Sequence, residues 1–155
     1  MSGDSGDPAV AAASNGAGPD VQHRSETMKK RVLDVGQCGP DHLALRKLVE
    51  DHFDAEVVQA HLPADALDAL RRSRIDLVLV NRKLDADYTD GLEIIRQIKA
   101  DRQFADIPCM LITNFAEHQE LAVAAGAEPG FGKLELDLPA TVDRLLPFIG
   151  PRSDA

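Results

Sequence analysis

The sequence contains no tryptophan, one tyrosine and five phenylalanines in 155 residues. Its core must therefore be built from Leu, Ile, Val and Ala, and the aromatic platforms that stack single-stranded nucleic acid are missing. Positive charge is also scarce, since 17 Lys and Arg face 26 Asp and Glu for a formal net charge of −9. A chain of this balance lacks the summed field that draws nucleic acid or anionic lipid, so neither nucleic acid nor a membrane is an expected partner. The two cysteines, Cys38 and Cys109, are too few for a disulfide framework and lack the CxxC spacing of a zinc site, which points to a reducing cytoplasm. No apolar run approaches the roughly 20 residues of a membrane span. The first eight residues carry Asp4 and Asp7 where a secretory signal would need basic residues. A usual domain of about 100–200 residues leaves room here for one core and a tail, which excludes a multidomain enzyme.

Between residues 2 and 27 the only branched aliphatic residues are Val10 and Val21, amid Gly, Ser, Ala, Asp and Pro. Such a segment cannot bury enough apolar area to offset its ordering entropy. Residues 1–29 are expected to be a disordered tail, with Met28 read either as the true start or as the end of a real extension. Residues 150–155, beginning Gly150-Pro151, are expected to be a short C-terminal tail.

From residue 30 to 149, short β-branched runs alternate five times with amphipathic segments of helical length. Strands are expected at 32–35, 55–60, 75–80, 107–112 and, weakly, 129–132. Helices are expected at 39–53, 63–72, 91–100, 117–125 and 139–148. The run Ile75-Asp76-Leu77-Val78-Leu79-Val80 is nearly continuous apolar, as a central parallel strand covered on both faces requires. Strict alternation with such connections means right-handed crossovers. The expected fold is an α/β, doubly wound (βα)5 three-layer sandwich with a parallel five-stranded sheet, flavodoxin-like in its winding. Chemistry in such a sheet gathers at the carboxyl ends of the strands.

Those ends are Gly36-Gln37, Asn81, Thr113 and Lys133. Together with Asp76-Leu77-Val78-Leu79-Val80-Asn81, Asp90-Gly91-Leu92-Glu93-Ile94, Ile107-Pro108-Cys109-Met110-Leu111-Ile112-Thr113 and Ala125-Gly126-Ala127, the order and spacing resemble response-regulator receiver (CheY-like) domains of two-component signalling. In that family an acidic pair after strand one and an Asp ending strand three hold Mg²⁺, and the strand-three Asp takes a phosphoryl group from a histidine kinase. The chemistry needs carboxylates, because Mg²⁺ prefers hard oxygen ligands and the nucleophile must carry negative charge. Here Gly36 and Gln37 stand at the acidic pair and Asn81 at the acceptor. The resemblance thus implies a degenerate pseudo-receiver that lacks the phosphoacceptor Asp, retains Thr113 and Lys133, and neither binds Mg²⁺ nor requires another cofactor. Leu134 replaces the proline that usually follows the lysine, which argues against a cis peptide there. Gly130 replaces the usual switch aromatic, with Phe131 beside it as a stand-in. Carboxylates restored at 36, 37 and 81 together are expected to support more phosphorylation than one restored at 81 alone.

Other residues admit further readings. Asp34 interrupts a central strand and needs a partner, for which Lys133, a loop amide or exposure at the strand end are the options. Asp34, Asp85 or Asp87 as a non-standard phosphoacceptor is an alternative function. The loop Gly36 to His42, with Cys38, Asp41 and His42, is read as a ligand or redox loop at a helix start. A small tyrosine-phosphatase site would need Arg where Ala44 stands, which excludes that enzyme. Cys38 and His42 have no further metal ligand at close spacing, so no metal site is expected. Lys133 is expected to bond the Asn81 side chain or to stand free. The overall expectation is a cytoplasmic, non-enzymatic, stand-alone signalling module. It is a monomer or weak dimer that contacts a histidine kinase or another regulator.

Overall fold

Five strands and five helices alternate along residues 29–150, the part of the chain described by the computed structural model. They are β1 (Lys30–Val35), α1 (Gly39–His52), β2 (Ala55–Ala60), α2 (Pro63–Arg72), β3 (Leu77–Asn81), α3 (Gly91–Ala100), β4 (Cys109–Ile112), α4 (Ala116–Ala124), β5 (Glu128–Phe131) and α5 (Pro139–Ile149). The strands form one parallel sheet in the order β2-β1-β3-β4-β5. The doubly wound (βα)5 sandwich expected from the alternation is the observed fold. The expected tails lie outside the described residues except for Lys29 and Gly150, and so does Met28. Among the described residues no helix is long and apolar enough to cross a membrane.

Alternation along the strands sorts the apolar side chains into two layers. Leu33, Val35, Val78, Val80 and Leu111 pack with Leu70 of α2, Ile94, Ile95 and Ile98 of α3 and Ala122 of α4. On the opposite face Val32, Leu77, Leu79, Met110, Ile112 and Phe131 pack with Leu45, Leu48 and Val49 of α1 and Leu145 and Ile149 of α5. By the same period of two, Asp34 falls on the α1/α5 face, and it is fully buried there.

Helix starts follow local chemistry. Proline occupies the first turn of α1, α2 and α5, where its missing N–H costs nothing. Asp90 caps α3 by accepting from Leu92 N–H at 3.0 Å. Boundaries shift where hydrogen bonding overrides hydrophobicity. β3 begins at Leu77, because the Asp76 backbone and carboxylate both bind Arg31, and it runs on to Asn81. β4 begins only at Cys109, since Pro108 has no N–H to give the ladder. A 3₁₀ turn at Lys133–Glu135, not expected from the sequence, follows β5.

Gly91 lets α3 settle against the end of β3. Its N–H donates to Arg82 C=O at 2.6 Å, and a Cβ there would collide with the Asn81 carbonyl and approach Val80 Cγ1 to 2.9 Å. Gly39, by contrast, has open space around it. Gly91→Ala should therefore lower unfolding stability by about 1–3 kcal/mol in chemical denaturation, while Gly39→Ala should change it by less than about 0.5 kcal/mol. Equal effects would refute the close approach of α3 to β3.

Candidate functional site

The carboxyl end of β1 is held by its last glycine. Gly36 has φ of 84°, and a Cβ there would sit 2.5 Å from Cγ of the fully buried Leu84. Its carbonyl accepts two hydrogen bonds, from Asp85 N–H at 2.9 Å and from Asn81 Nδ2 at 3.0 Å. The β3–α3 loop and the end of β3 are thus tied to β1 through one backbone oxygen. An Asp at 36 would need both a left-handed backbone and the space of Leu84, so a carboxylate restored there strains the loop and displaces Leu84.

Asn81 uses its amide N–H₂ as a donor, a role that a carboxylate cannot fill. Lys133 does not bond Asn81, nor does it stand free. Its Nζ lies 2.7 Å from Asp41 Oδ2, on the first turn of α1. The Lys133 hydrogen bond holds the Asp41 carboxyl below its usual range, with a smaller contribution from the Cys38 thiol. Thr113 is buried, and its hydroxyl accepts from Phe115 N–H at 3.3 Å, which is the strand-end capping role. His118 Nδ1 lies 3.2 Å from the same oxygen, while its Nε2 accepts from Arg82 Nε at 3.2 Å. The acceptor role at Nε2 places the ring proton on Nδ1, so His118 donates to Thr113 and links β4, α4 and the residue after Asn81.

Phe131 does not replace the missing aromatic at 130. It is buried among Met110, Ile112 and Leu145, facing α5. A side chain at Gly130 would meet the Leu111 carbonyl, and Gly130 N–H donates to Gln119 Oε1 at 2.8 Å. The loop after β5 is held instead by Leu134 N–H on Asn114 Oδ1 at 3.1 Å and Gly132 N–H on Glu135 Oε1 at 2.7 Å. Among the described residues no peptide bond is cis. Asp85 and Asp87 are exposed, and Asp87 accepts from Thr89 N–H at 2.9 Å within its own loop.

Asp34 is not exposed and has no hydrogen bond to Lys133. Its close partner, outside the expected set, is His42, whose Nδ1 donates to Oδ2 at 2.8 Å. The expected loop amide is represented by Gln37, which bears on the carboxylate without meeting full hydrogen-bond geometry. Asp34 Oδ1 and both amide atoms of buried Gln37 have no hydrogen-bond partner among the described residues. Burial raises the Asp34 pKa to about 6, against the lowering pull of His42, Gln37 and Lys133. His118, Arg82 and Asn114 escaped sequence reasoning, because nothing local marks a residue whose partner comes from another strand end. His42 could have been found: a buried Asp demands a donor, and His42 opens the helix that covers that face.

These donors do not fit the Mg²⁺ of phosphorylating receivers. Gly36 has no side chain, Gln37 and Asn81 are neutral, and Asn81 is already engaged. Among the described residues no group of three or more His, Cys, Asp or Glu could hold a metal ion. A cleft of about 630 Å³ lies between α1 and α5 with Lys133 at one end, and neither Asn81 nor Thr113 lines it.

The raised Asp34 pKa has a definite sign. Its stabilising contribution is complete below the unfolded value of 3.8 and is lost as pH rises through about 6. Between pH 4.5 and 7, wild type should therefore lose on the order of 2 kcal/mol of unfolding stability relative to Asp34→Asn. Parallel pH profiles in chemical denaturation would contradict the burial of an ionisable Asp34.

No family model matches the chain, and no curated protein does. Solved structures do. A response regulator receiver protein from Pseudomonas putida superposes with a TM-score of 0.63 at 20% identity, over 76% of this chain and 95% of that one. The phosphorylated cyanobacterial phytochrome response regulator RcpA gives 0.62 at 18%, over 76% and 93%. The chemotaxis protein CheY4 of Vibrio cholerae gives 0.59 at 20%, over 77% and 94%. With the parallel strand order described above, this chain has the fold of CheY-like response-regulator receiver domains.

Proposed function

We propose that the chain is a receiver-like signalling module of the two-component type that acts by protein–protein contact, without phosphorylation at position 81 and without Mg²⁺. The observation that carries this reading is the Asn81 amide donating to the Gly36 carbonyl at 3.0 Å. An amide oxygen is a poor nucleophile, and the group is engaged in joining β3 to β1 rather than held free for transfer. Lys133, the lysine that the resemblance counts as retained, is paired with Asp41 at 2.7 Å and not with Asn81. Of the other carboxylates, Asp34 is buried behind His42, and among the described residues Asp85 and Asp87 belong to no group of three or more ligands that could hold a metal. They do not support a phosphoacceptor as well as Asn81 supports its loss.

Contact with a histidine kinase or another regulator is favoured by apolar side chains left in solvent on one stretch of the chain. Phe115, Leu121, Val123, Leu134, Leu138 and Leu146 are all exposed, Leu134 at 83%. They lie on or beside α4, the loop after β5 and α5, so a partner would bury them without disturbing the sheet. The loop from Gly36 to His42 as an oxidant or anion sensor is less well supported, since Cys38 engages Asp41 and Gly36 is occupied by packing.

Incubation with a small phosphodonor and Mg²⁺, read by intact mass, tests the reading. Wild type should gain no phosphoryl group. Asn81→Asp alone should give faint labelling, because it adds one charge and removes the donor to Gly36, and Gln37→Asp with Asn81→Asp should give more. Efficient labelling of wild type at any Asp would overturn the proposal.

A further inference from the structure

Helix α4 is held less by apolar packing than the other four helices. Of its nine residues only Ala122 is buried, whereas α3 buries Ile94, Ile95 and Ile98 and α1 buries Leu45, Leu48 and Val49. Its larger apolar side chains, Leu121 and Val123, are exposed and add little to its hold. Two polar side chains of its first turn hold it instead. His118 bonds Thr113 and Arg82, and Gln119 reaches into the sheet. There Met110 pairs with Glu128 and Ile112 with Phe131, so β5 carries one residue more than β4 between the two pairs. Such a bulge interrupts the ladder. Gln119 Nε2 donates to the carbonyls of Leu111 at 2.9 Å and Thr113 at 3.3 Å, while its Oε1 accepts Gly130 N–H at 2.8 Å. One side-chain amide thus joins β4 to β5 across the bulge. The Gly130 carbonyl accepts from Arg144 of α5, so both polar groups of that residue are taken by helix side chains.

We propose that α4 is a detachable flap latched by Gln119: it leaves the sheet as one unit while the rest of the fold stays intact, and the Gln119 amide, inserted at the β4–β5 bulge, sets how often it does so. Lifting α4 gives up one small buried side chain and a few hydrogen bonds that water replaces. Exposing either apolar layer costs far more, so the helix opens long before the sheet does. Leu121 and Val123 ride on the flap. A partner that grips them in one position of α4 therefore shifts the balance between the latched and open forms. The use of the flap rests on the reading of partner contact above, whereas its existence is measured in the isolated chain, so a missing partner and a missing flap are separate failures.

The test is native-state hydrogen exchange of the full chain at fixed pH, read by NMR on the amides of α4 from Glu120 to Ala124 and on the slowest amides of β1 and β3. In wild type the α4 amides should share one level of protection, about a hundredfold or more below that of the sheet. Gln119→Leu should speed α4 exchange about tenfold, as the loss of one or two net hydrogen bonds requires. Glu120→Leu, at the exposed neighbour, should leave it within about twofold of wild type. Val32→Ala, in the α1/α5 layer, should speed the β1 and β3 amides and leave those of α4 unchanged, and it decides the matter if Gln119→Leu does not fold. The proposal is overturned if wild-type α4 is as protected as the sheet, if Gln119→Leu speeds α4 no more than Glu120→Leu does, or if Val32→Ala speeds α4 and the sheet alike.

Discussion

One backbone oxygen, the carbonyl of Gly36, organises the carboxyl edge of the sheet. It receives the Asn81 side chain and the Asp85 N–H together, so the end of β1, the end of β3 and the β3–α3 loop share a single anchor. Both bonds need donors, and only an amide at 81 supplies one from a side chain of that length. The anchor also requires a glycine, since the positive φ that turns the carbonyl toward its donors leaves the Cβ direction to Leu84. Position 36 and position 81 are therefore one device, and neither can become a carboxylate without breaking what the other does.

Several polar and charged groups near this edge are paired with one another. Lys133 goes to Asp41, Arg82 goes to His118, and His118 in turn orients Thr113. Asp34, Gln37 and His42 are the exception, a buried polar knot with unpartnered atoms. Burying a carboxylate is costly unless it is paired, and the single bond from His42 offsets that cost only in part, as the raised pKa records. A group so poised gains or loses a proton in a range where fully paired carboxylates do not respond.

The fold was legible in the sequence because it depends on period and length. The run from Leu77 to Val80 could only be a covered strand, and the five alternations left a single winding. Strand ends were less legible. Ile75 reads as strand from its hydrophobicity, yet Asp76 terminates the ladder by binding Arg31 through both backbone and side chain. The candidate site was legible as a set of positions but not as a set of contacts. Gly36 read as a missing carboxylate, and nothing near it in sequence reveals that Leu84, 48 positions on, fills the space. Asp34 announced its need for a partner, and alternation gave its face, but the choice of His42 over Lys133 depends on where α1 begins. The role of Gly130 was misplaced for a related reason: Phe131, its neighbour, points to the opposite side of the strand and into the core.

The central claim is that Gly36, Gln37 and Asn81 present no charged oxygen ligand at the strand ends and that the Asn81 amide is bonded to the Gly36 carbonyl. Its most direct test is a titration of the full chain with Mn²⁺, following paramagnetic broadening of backbone amides. The account expects no saturable broadening centred on Gly36, Gln37 and Asn81 at concentrations up to the millimolar range. Saturable broadening of those three amides at micromolar Mn²⁺ would contradict it.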